Sequence, residues 1–318
     1  MSNRLAGVIL VVISACAFGS GALFAKPIYA AGVDWMTLLA WRFLFAAALS
    51  WGWLLLWPSN RRALGRMTRR HLFVLVLLGV LYLGNSGTYF AALETVSASL
   101  AALIVYIYPA LVAVISIRFA RRLEGRRAWL ALAVATVGVA LAVGGIDPAD
   151  APPVHGLVLA IASPVIYAIW IILAARLSGE RSGDQSTTSA DAEPAPVAAV
   201  MLSATAVAWW LAALATGRPV LPGQIPETAW IPLFGVGLVS TALALQTFYA
   251  GTRRIGAAQA ALVSTVEPVW TITLATLLFA ERLGPLQLLG GVLVIGGVLL
   301  AQSGRRRDAR RPTANLSA

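Results

Sequence analysis

Apolar stretches of about 17–25 residues recur ten times along this chain, at approximate limits 5–25, 35–57, 71–93, 98–118, 127–145, 155–177, 196–216, 229–250, 258–279 and 285–303. As an α-helix, each is long enough to cross a hydrocarbon layer roughly 30 Å thick. Backbone in that layer must satisfy its own hydrogen bonds, which leaves helices or a closed barrel, and stretches of this length select helices. The expected fold class is therefore an all-α membrane protein of ten transmembrane helices. Composition agrees, because 59% hydrophobic and 12% charged residues over 318 positions exceed what a soluble core of this size requires. Aromatic anchors cluster at span ends, with Trp35, Trp51, Trp53 and Trp57 on the second and Trp230 on the eighth.

A net charge of +11 would suggest nucleic acid in a soluble protein, but the arginines form separate loop clusters instead of one stripe, so no nucleic-acid partner is expected. Placing the N-terminus in the cytoplasm puts Arg4, Arg61–Arg70, Arg118–Arg127, Arg176, Arg181, Arg253, Arg254 and the Arg305–Arg311 tail on one side. Of the 24 basic residues, only Lys26, Arg218 and Arg282 then lie in outer loops and Arg42 within a span. The expectation is an inner (plasma) membrane protein with both termini cytoplasmic. Arg4 followed by ISAC (13–16) also resembles a lipoprotein signal, but the apolar run continues past Cys16 to Ala25. A single cysteine excludes an internal disulfide.

Internal repetition organises the spans. TYFAALETVSASLAALIVYIYP (88–109) aligns without a gap on TFYAGTRRIGAAQAALVSTVEP (247–268), a constant offset of 159, and FARRL (119–123) follows over FAERL (279–283) after a one-residue shift. Five spans per copy is an odd number, so the second copy enters the membrane from the opposite side, an inverted repeat of the kind transporters use. The expected division is a first five-helix repeat at 1–177, a cytoplasmic linker at 178–196, a second repeat at 197–304 and a basic tail at 305–318.

AAQAALVSTVEPVWTITLATLLFAERLGPLQLLGGVLVIGGVLL (257–300) resembles the second repeat of the EamA-type branch of the drug/metabolite transporter superfamily. FGSGALFAK (18–26), Arg42 and SASLAALIVYIYP (97–109) add weaker first-half matches, while RRLEG (121–125) departs from the family's Glu-Arg-Leu. The resemblance implies two inverted five-helix repeats, a central cavity lined largely by spans 1, 3, 4, 6, 8 and 9, and export of small metabolites such as amino acids. Multidrug efflux and metabolite uptake are the alternatives. The multidrug relatives carry an acid in their first span, and this first span has none.

Glu267 sits beside Pro268 inside an apolar run, where facing lipid would cost about 2.5–3.5 kcal/mol, so it is aimed at or beside a cavity. Three readings stay open: a proton carrier, a partner for a substrate amine, or a hydrogen-bonding element that locks a kink. Pro109 and Pro268 occupy equivalent repeat positions, and each is expected to kink its helix and free a carbonyl near midplane, as gating elements. The counterpart of Glu267 in the first copy is Tyr108. Tyr82, Asn85 and Tyr89 share one face of span 3. With Tyr106, Tyr167, Trp170, Thr241, Gln246, Tyr249 and Trp270, they are candidates to line a site for an organic solute, or are packing.

Lys26, the sole lysine, and Arg42, about 10 Å along the helix from Trp35, are candidates to attract a substrate carboxylate, to snorkel, or to pair with Asp34. Glu281 and Arg282, at the end of span 9, read as a helix-end polar pair, and the family resemblance adds an effect on gating as the alternative. Gly138, Gly144 and Gly145 in span 5 and Gly290, Gly291, Gly296 and Gly297 in span 10 allow close helix approach, as scaffold or as a homodimer face. His71 and His155 lie near span ends, and no nucleotide-binding motif or metal-ligand set is present, so neither an enzyme, an ATP-driven pump, a metal nor a cofactor is expected. The expected partners are a small-molecule substrate and the lipid bilayer, and the expected activity is secondary transport by alternating access.

Overall fold

The structure is a computed structural model that describes residues 3–119, 125–146, 151–177 and 194–308. Most of the expected linker, through residue 193, and the end of the expected basic tail, from residue 309, lie outside the described residues, as do residues 121–124 of RRLEG. Every described element is helical. Seven helical stretches are long and apolar enough to cross a membrane: Asn3–Ala30, Trp35–Leu56, Arg69–Leu93, Val154–Ala174, Ala195–Ala215, Glu227–Ile255 and Gln259–Phe279. Three shorter apolar helices, Ala98–Val112, Trp129–Gly144 and Pro285–Leu300, fall where the sequence predicts spans 4, 5 and 10.

Several spans are not simple rods. The first is α1 (Asn3–Gly19) and α2 (Gly21–Ala30), followed by α3 (Trp35–Leu56), a short α4 (Pro58–Gly65) and α5 (Arg69–Leu93). The fourth is two pieces, α6 (Ala98–Val105) and α7 (Tyr108–Phe119), before α8 (Gly125–Gly144) and α9 (Val154–Leu177). α10 (Pro194–Ala215) begins inside the stretch predicted as linker. The eighth is α11 (Trp230–Gly237), a π-helical turn at Leu238–Leu243, and α12 (Ala244–Ile255); the ninth is α13 (Ala257–Val263) and α14 (Val266–Phe279); α15 (Pro285–Asp308) is last.

Local chemistry sets these boundaries. The Asp34 carboxylate accepts from the Met36 and Thr37 amides to start α3, Thr68 accepts from His71 to start α5, and Ser97 accepts from Leu100 to start α6. Gly256, at φ 80°, lets the chain turn from α12 into α13.

The helices pack in antiparallel pairs. Between α8 and α15 the backbones touch: a Cβ on Gly138 would lie 2.6 Å from the Gly290 carbonyl oxygen, and one on Gly290 would lie 2.4 Å from that of Gly138. Gly297 meets Ala131 and Gly145 meets Leu286 and Gln287 in the same running order. These glycines are therefore scaffold within one chain, because the approach leaves no room for a side chain. Gly144 and Gly296 meet nothing within 4 Å.

α3 and α10 pair through Trp51 Nε1 to Ser203 Oγ at 2.8 Å and Trp210 Nε1 to the Ala40 carbonyl at 3.1 Å. Trp41 adds edge-on contacts to Trp210 and to Trp230. α1 packs on α12 and α14, while α9 packs on α5 and α7. Each buried indole N–H in these seams has an acceptor, as an apolar surround demands.

Candidate functional site

The two discontinuous helices meet at their breaks. α6 ends at Val105 and α7 begins at Tyr108; α13 ends at Val263 and α14 begins at Val266. Pro109 and Pro268 are in the first turn of the second piece, where a missing N–H leaves no bond unmade. The kink expected at each proline is instead a break a few residues upstream, because each ring excludes an intrahelical bond to the carbonyl four residues before it, Val105 or Ser264. The Ser264 carbonyl is taken up across the molecule by the hydroxyl of Tyr106, at 2.5 Å, and locally by the Glu267 N–H at 3.0 Å. One break thus closes the hydrogen bonding of the other.

Glu267 occupies the first turn of α14, where the helix dipole favours an acid. Span 1 packs directly on this turn. Thr271 Oγ1 donates to the Gly19 carbonyl at 2.9 Å, Trp270 Nε1 donates to Ser20 Oγ at 3.0 Å, and a Cβ on Gly19 would lie 3.4 Å from Glu267 Cγ. The Glu267 side chain is half-buried, and its carboxylate makes no hydrogen bond or ion pair among the described residues. What fastens the break is the Glu267 backbone amide, so the reading of the carboxylate as a kink-locking element finds no bond to rest on.

Around this acid stands a wall of rings. Tyr106 contacts Tyr108 at 5.9 Å, Tyr108 contacts Tyr167 at 4.7 Å, and Tyr167 stacks on Trp170 at 6.0 Å. Tyr82 closes the group against Tyr167, Trp170 and Phe43. The hydroxyls of Tyr82, Tyr89, Tyr106, Tyr108 and Tyr167 all lie within electrostatic reach of Glu267. Asn85 is buried and its Oδ1 accepts from Ser163 Oγ at 3.1 Å, which ties spans 3 and 6 together. The Trp170 indole donates to the Leu78 carbonyl at 2.9 Å, so its N–H is committed to packing. Tyr249 is near Tyr167, whereas the buried Gln246 amide nitrogen has no hydrogen-bond partner among the described residues.

Arg42 is 7% exposed and pairs with neither Asp34 nor the surface. Its Nε donates to Thr241 Oγ1 at 2.9 Å, and the guanidinium lies 4.6 Å from the Phe90 ring centroid and 5.2 Å from that of Phe43. Asp34 is engaged in capping α3, which explains the missing pair. The Thr241 hydroxyl in turn donates to the Val236 carbonyl five residues back, within the π-helical turn at Leu238–Leu243. Tyr82, in the ring wall, and Tyr89 lie within electrostatic reach of both Arg42 and Glu267.

Lys26 does not snorkel: its Nζ donates to the Leu93 carbonyl at 3.1 Å and the Val96 carbonyl at 2.8 Å. Glu281 is not spent on Arg282, because its carboxylate accepts from the Ala98 and Ser99 amides at 2.9 Å each and caps α6. Nearby, Glu94 accepts from the Trp35 amide at 2.8 Å. Burial is the larger influence on that carboxyl and raises its pKa, with the amide pulling the other way. A cavity of about 500 Å³ lies at the opposite end of the helices, lined by Asn3, Ala250, Arg253 and Arg254.

Sequence reasoning missed Ser20, Thr271 and Glu281 as contacts of the two discontinuous spans, and it missed the π turn. FGSG (18–21) was the available signal for close approach of span 1, since small residues in a span admit a neighbouring backbone.

Among known proteins, the EamA-like transporter family profile matches residues 5–144 and 154–302, one match for each half. An uncharacterized transporter of Archaeoglobus fulgidus is 25% identical over 291 residues, covering 92% of this chain and 94% of that protein. An uncharacterized transporter of Bacillus subtilis, YcbK, is 26% identical over 312 residues, covering 94% and 92%. A crystal structure of a protein with 19% identity superposes with a TM-score of 0.63 over 95% of this chain and 99% of that one, a likeness of fold.

Proposed function

This chain belongs to the EamA-like transporter family, and from that premise we propose that it moves a small organic metabolite by exposing one central site to the two membrane faces in turn. Supporting this reading above all is the Glu267 carboxylate, which has no hydrogen bond or ion pair among the described residues, at the meeting point of two broken helices, facing a wall of tyrosines. A half-buried acid in an apolar span, without a counter-charge among the described residues, is poised to receive one from a ligand. The ligand this arrangement suits carries an amine toward Glu267 and an acidic group toward Arg42, with a flat or apolar body against Tyr82, Tyr108 and Tyr167, as an amino acid or a related compound does.

Ten spans in two inverted repeats fit the packing. Spans 2 and 7, and spans 5 and 10, are equivalent members of the two halves and lie antiparallel in contact, while the pairing of span 1 with 8 recurs as span 6 with 3. The halves are bounded at about 1–177 and 197–304. The arginine distribution supports cytoplasmic termini in a plasma membrane, and efflux from the cytoplasm is the favoured direction.

The test compares metabolites in the medium of cells expressing wild type, Glu267→Gln or no transporter, at matched membrane abundance. A compound enriched by wild type alone is expected. Enrichment by wild type and Glu267→Gln alike would remove Glu267 from the route, and no enrichment in either would overturn export.

A further inference from the structure

Lys26 and Glu281 converge on one short piece of chain, the turn between α5 and α6. The ammonium of Lys26 holds the carbonyls of Leu93 and Val96 at the C-terminal end of α5, and the carboxylate of Glu281 holds the amides of Ala98 and Ser99 at the N-terminal end of α6. Each charge therefore meets the helix end of opposite polarity. The two are also within electrostatic reach of each other. Lys26 belongs to the first repeat, as does the turn, but Glu281 belongs to the second, so its two bonds span the halves.

The backbone is bent to deliver that carboxylate. Ala280, immediately before it, is the only non-glycine residue with positive φ among the described residues, at φ 54° and ψ 23°. Such a conformation is disfavoured for a residue with a Cβ and persists where its surroundings hold it. In sequence, aligning FARRL (119–123) over FAERL (279–283) puts Arg121 where Glu281 stands, and an arginine has no acceptor for helix amides.

We propose that Glu281, seated on the α6 amides and seconded by Lys26, is a latch that holds the outer mouth of the central site shut. The proposal rests on the topology and alternating access set out above. The latch releases when the second repeat moves away from the first at this end.

The chain's sole cysteine supplies the reporter. Cys16 is half-buried on α1, one turn before Gly19 and Ser20, which pack on Glu267 and Trp270, and its thiol serves as the probe of access to this region. A membrane-impermeant maleimide is applied to right-side-out and to inside-out vesicles carrying wild type, Glu281→Ala, Glu281→Gln or Arg282→Ala. Wild type is expected to label from the cytoplasmic side. Glu281→Ala is expected to raise labelling from outside by at least about 10-fold, and Glu281→Gln, which keeps an acceptor oxygen and the side-chain size, by less. Arg282→Ala should match wild type.

Outside labelling unchanged in both Glu281 variants, or raised equally by Arg282→Ala, would overturn the latch. A gain outside with a matching loss inside supports both latch and alternating access. A gain outside with no loss inside keeps the latch and overturns alternating access, which separates the two failures. Glu281→Gln carries the test should Glu281→Ala not assemble.

Discussion

The break between α6 and α7 and the break between α13 and α14 have nearly the same form and different chemistry. In each, a helix stops, two residues turn, and a proline sits in the first turn of the continuation. Yet the residue before the proline is Tyr108 in one copy and Glu267 in the other, and the first break contributes the hydroxyl of Tyr106 where the second contributes the carbonyl of Ser264. Duplication has kept the backbone device, which depends on proline geometry alone. It has let the side chains diverge, so that one copy supplies a ring wall and the other a charge. Form is shared where the bilayer constrains it, and the proposed function draws on positions where the copies differ.

The sharpest way to break this contrast is to perturb a region where the copies remain alike. Gly138 and Gly290 meet backbone to backbone, so Gly138→Val and Gly290→Val should destabilise by similar amounts, about 3 kcal/mol or more, because each added side chain runs into the facing carbonyl. Thermal unfolding in detergent measures this, and a large inequality between the two would show that the scaffold is not symmetric. Next in size is the unequal pair. Glu267→Gln should reduce transport roughly 10- to 100-fold, the value of a hydrogen bond to a charged group at about 1.5–3 kcal/mol, while Tyr108→Phe should cost at most a few-fold. Equal losses would remove the division of labour between the breaks.

How much of this was legible in the sequence follows from the same physics. Ten apolar stretches and a gapless internal match reveal the helices and the duplication, because hydrocarbon forces backbone bonds to close within each helix and leaves length as the readable variable. Pro109, Pro268 and Glu267 could be singled out as exceptions to an apolar pattern. The partners could not. Arg42 reaches Thr241 through a π turn, and LVSTAL (238–243) carries no sequence signal that marks one. Glu281 caps a helix that begins far away in sequence, and next to Arg282 it reads as a local pair. Contacts between distant spans depend on how rods are rotated against one another, and that rotation is set by glycine approaches whose matching surfaces are scattered along the chain.

The finest distinction between the breaks lies in the bond that joins them. Tyr106→Phe removes the hydroxyl that satisfies the Ser264 carbonyl and should destabilise by about 1 kcal/mol. Pro268→Ala restores an N–H at position 268, four residues after Ser264, which then competes for the same carbonyl as an ordinary helical bond. If the Tyr106 bond exists because proline vacated that acceptor, the two substitutions are coupled: Tyr106→Phe should matter less once Pro268 is gone, with a coupling of at least about 0.5 kcal/mol in a double-mutant cycle. Additive losses would mean that the cross-molecule bond is indifferent to the proline, and that the two breaks merely adjoin.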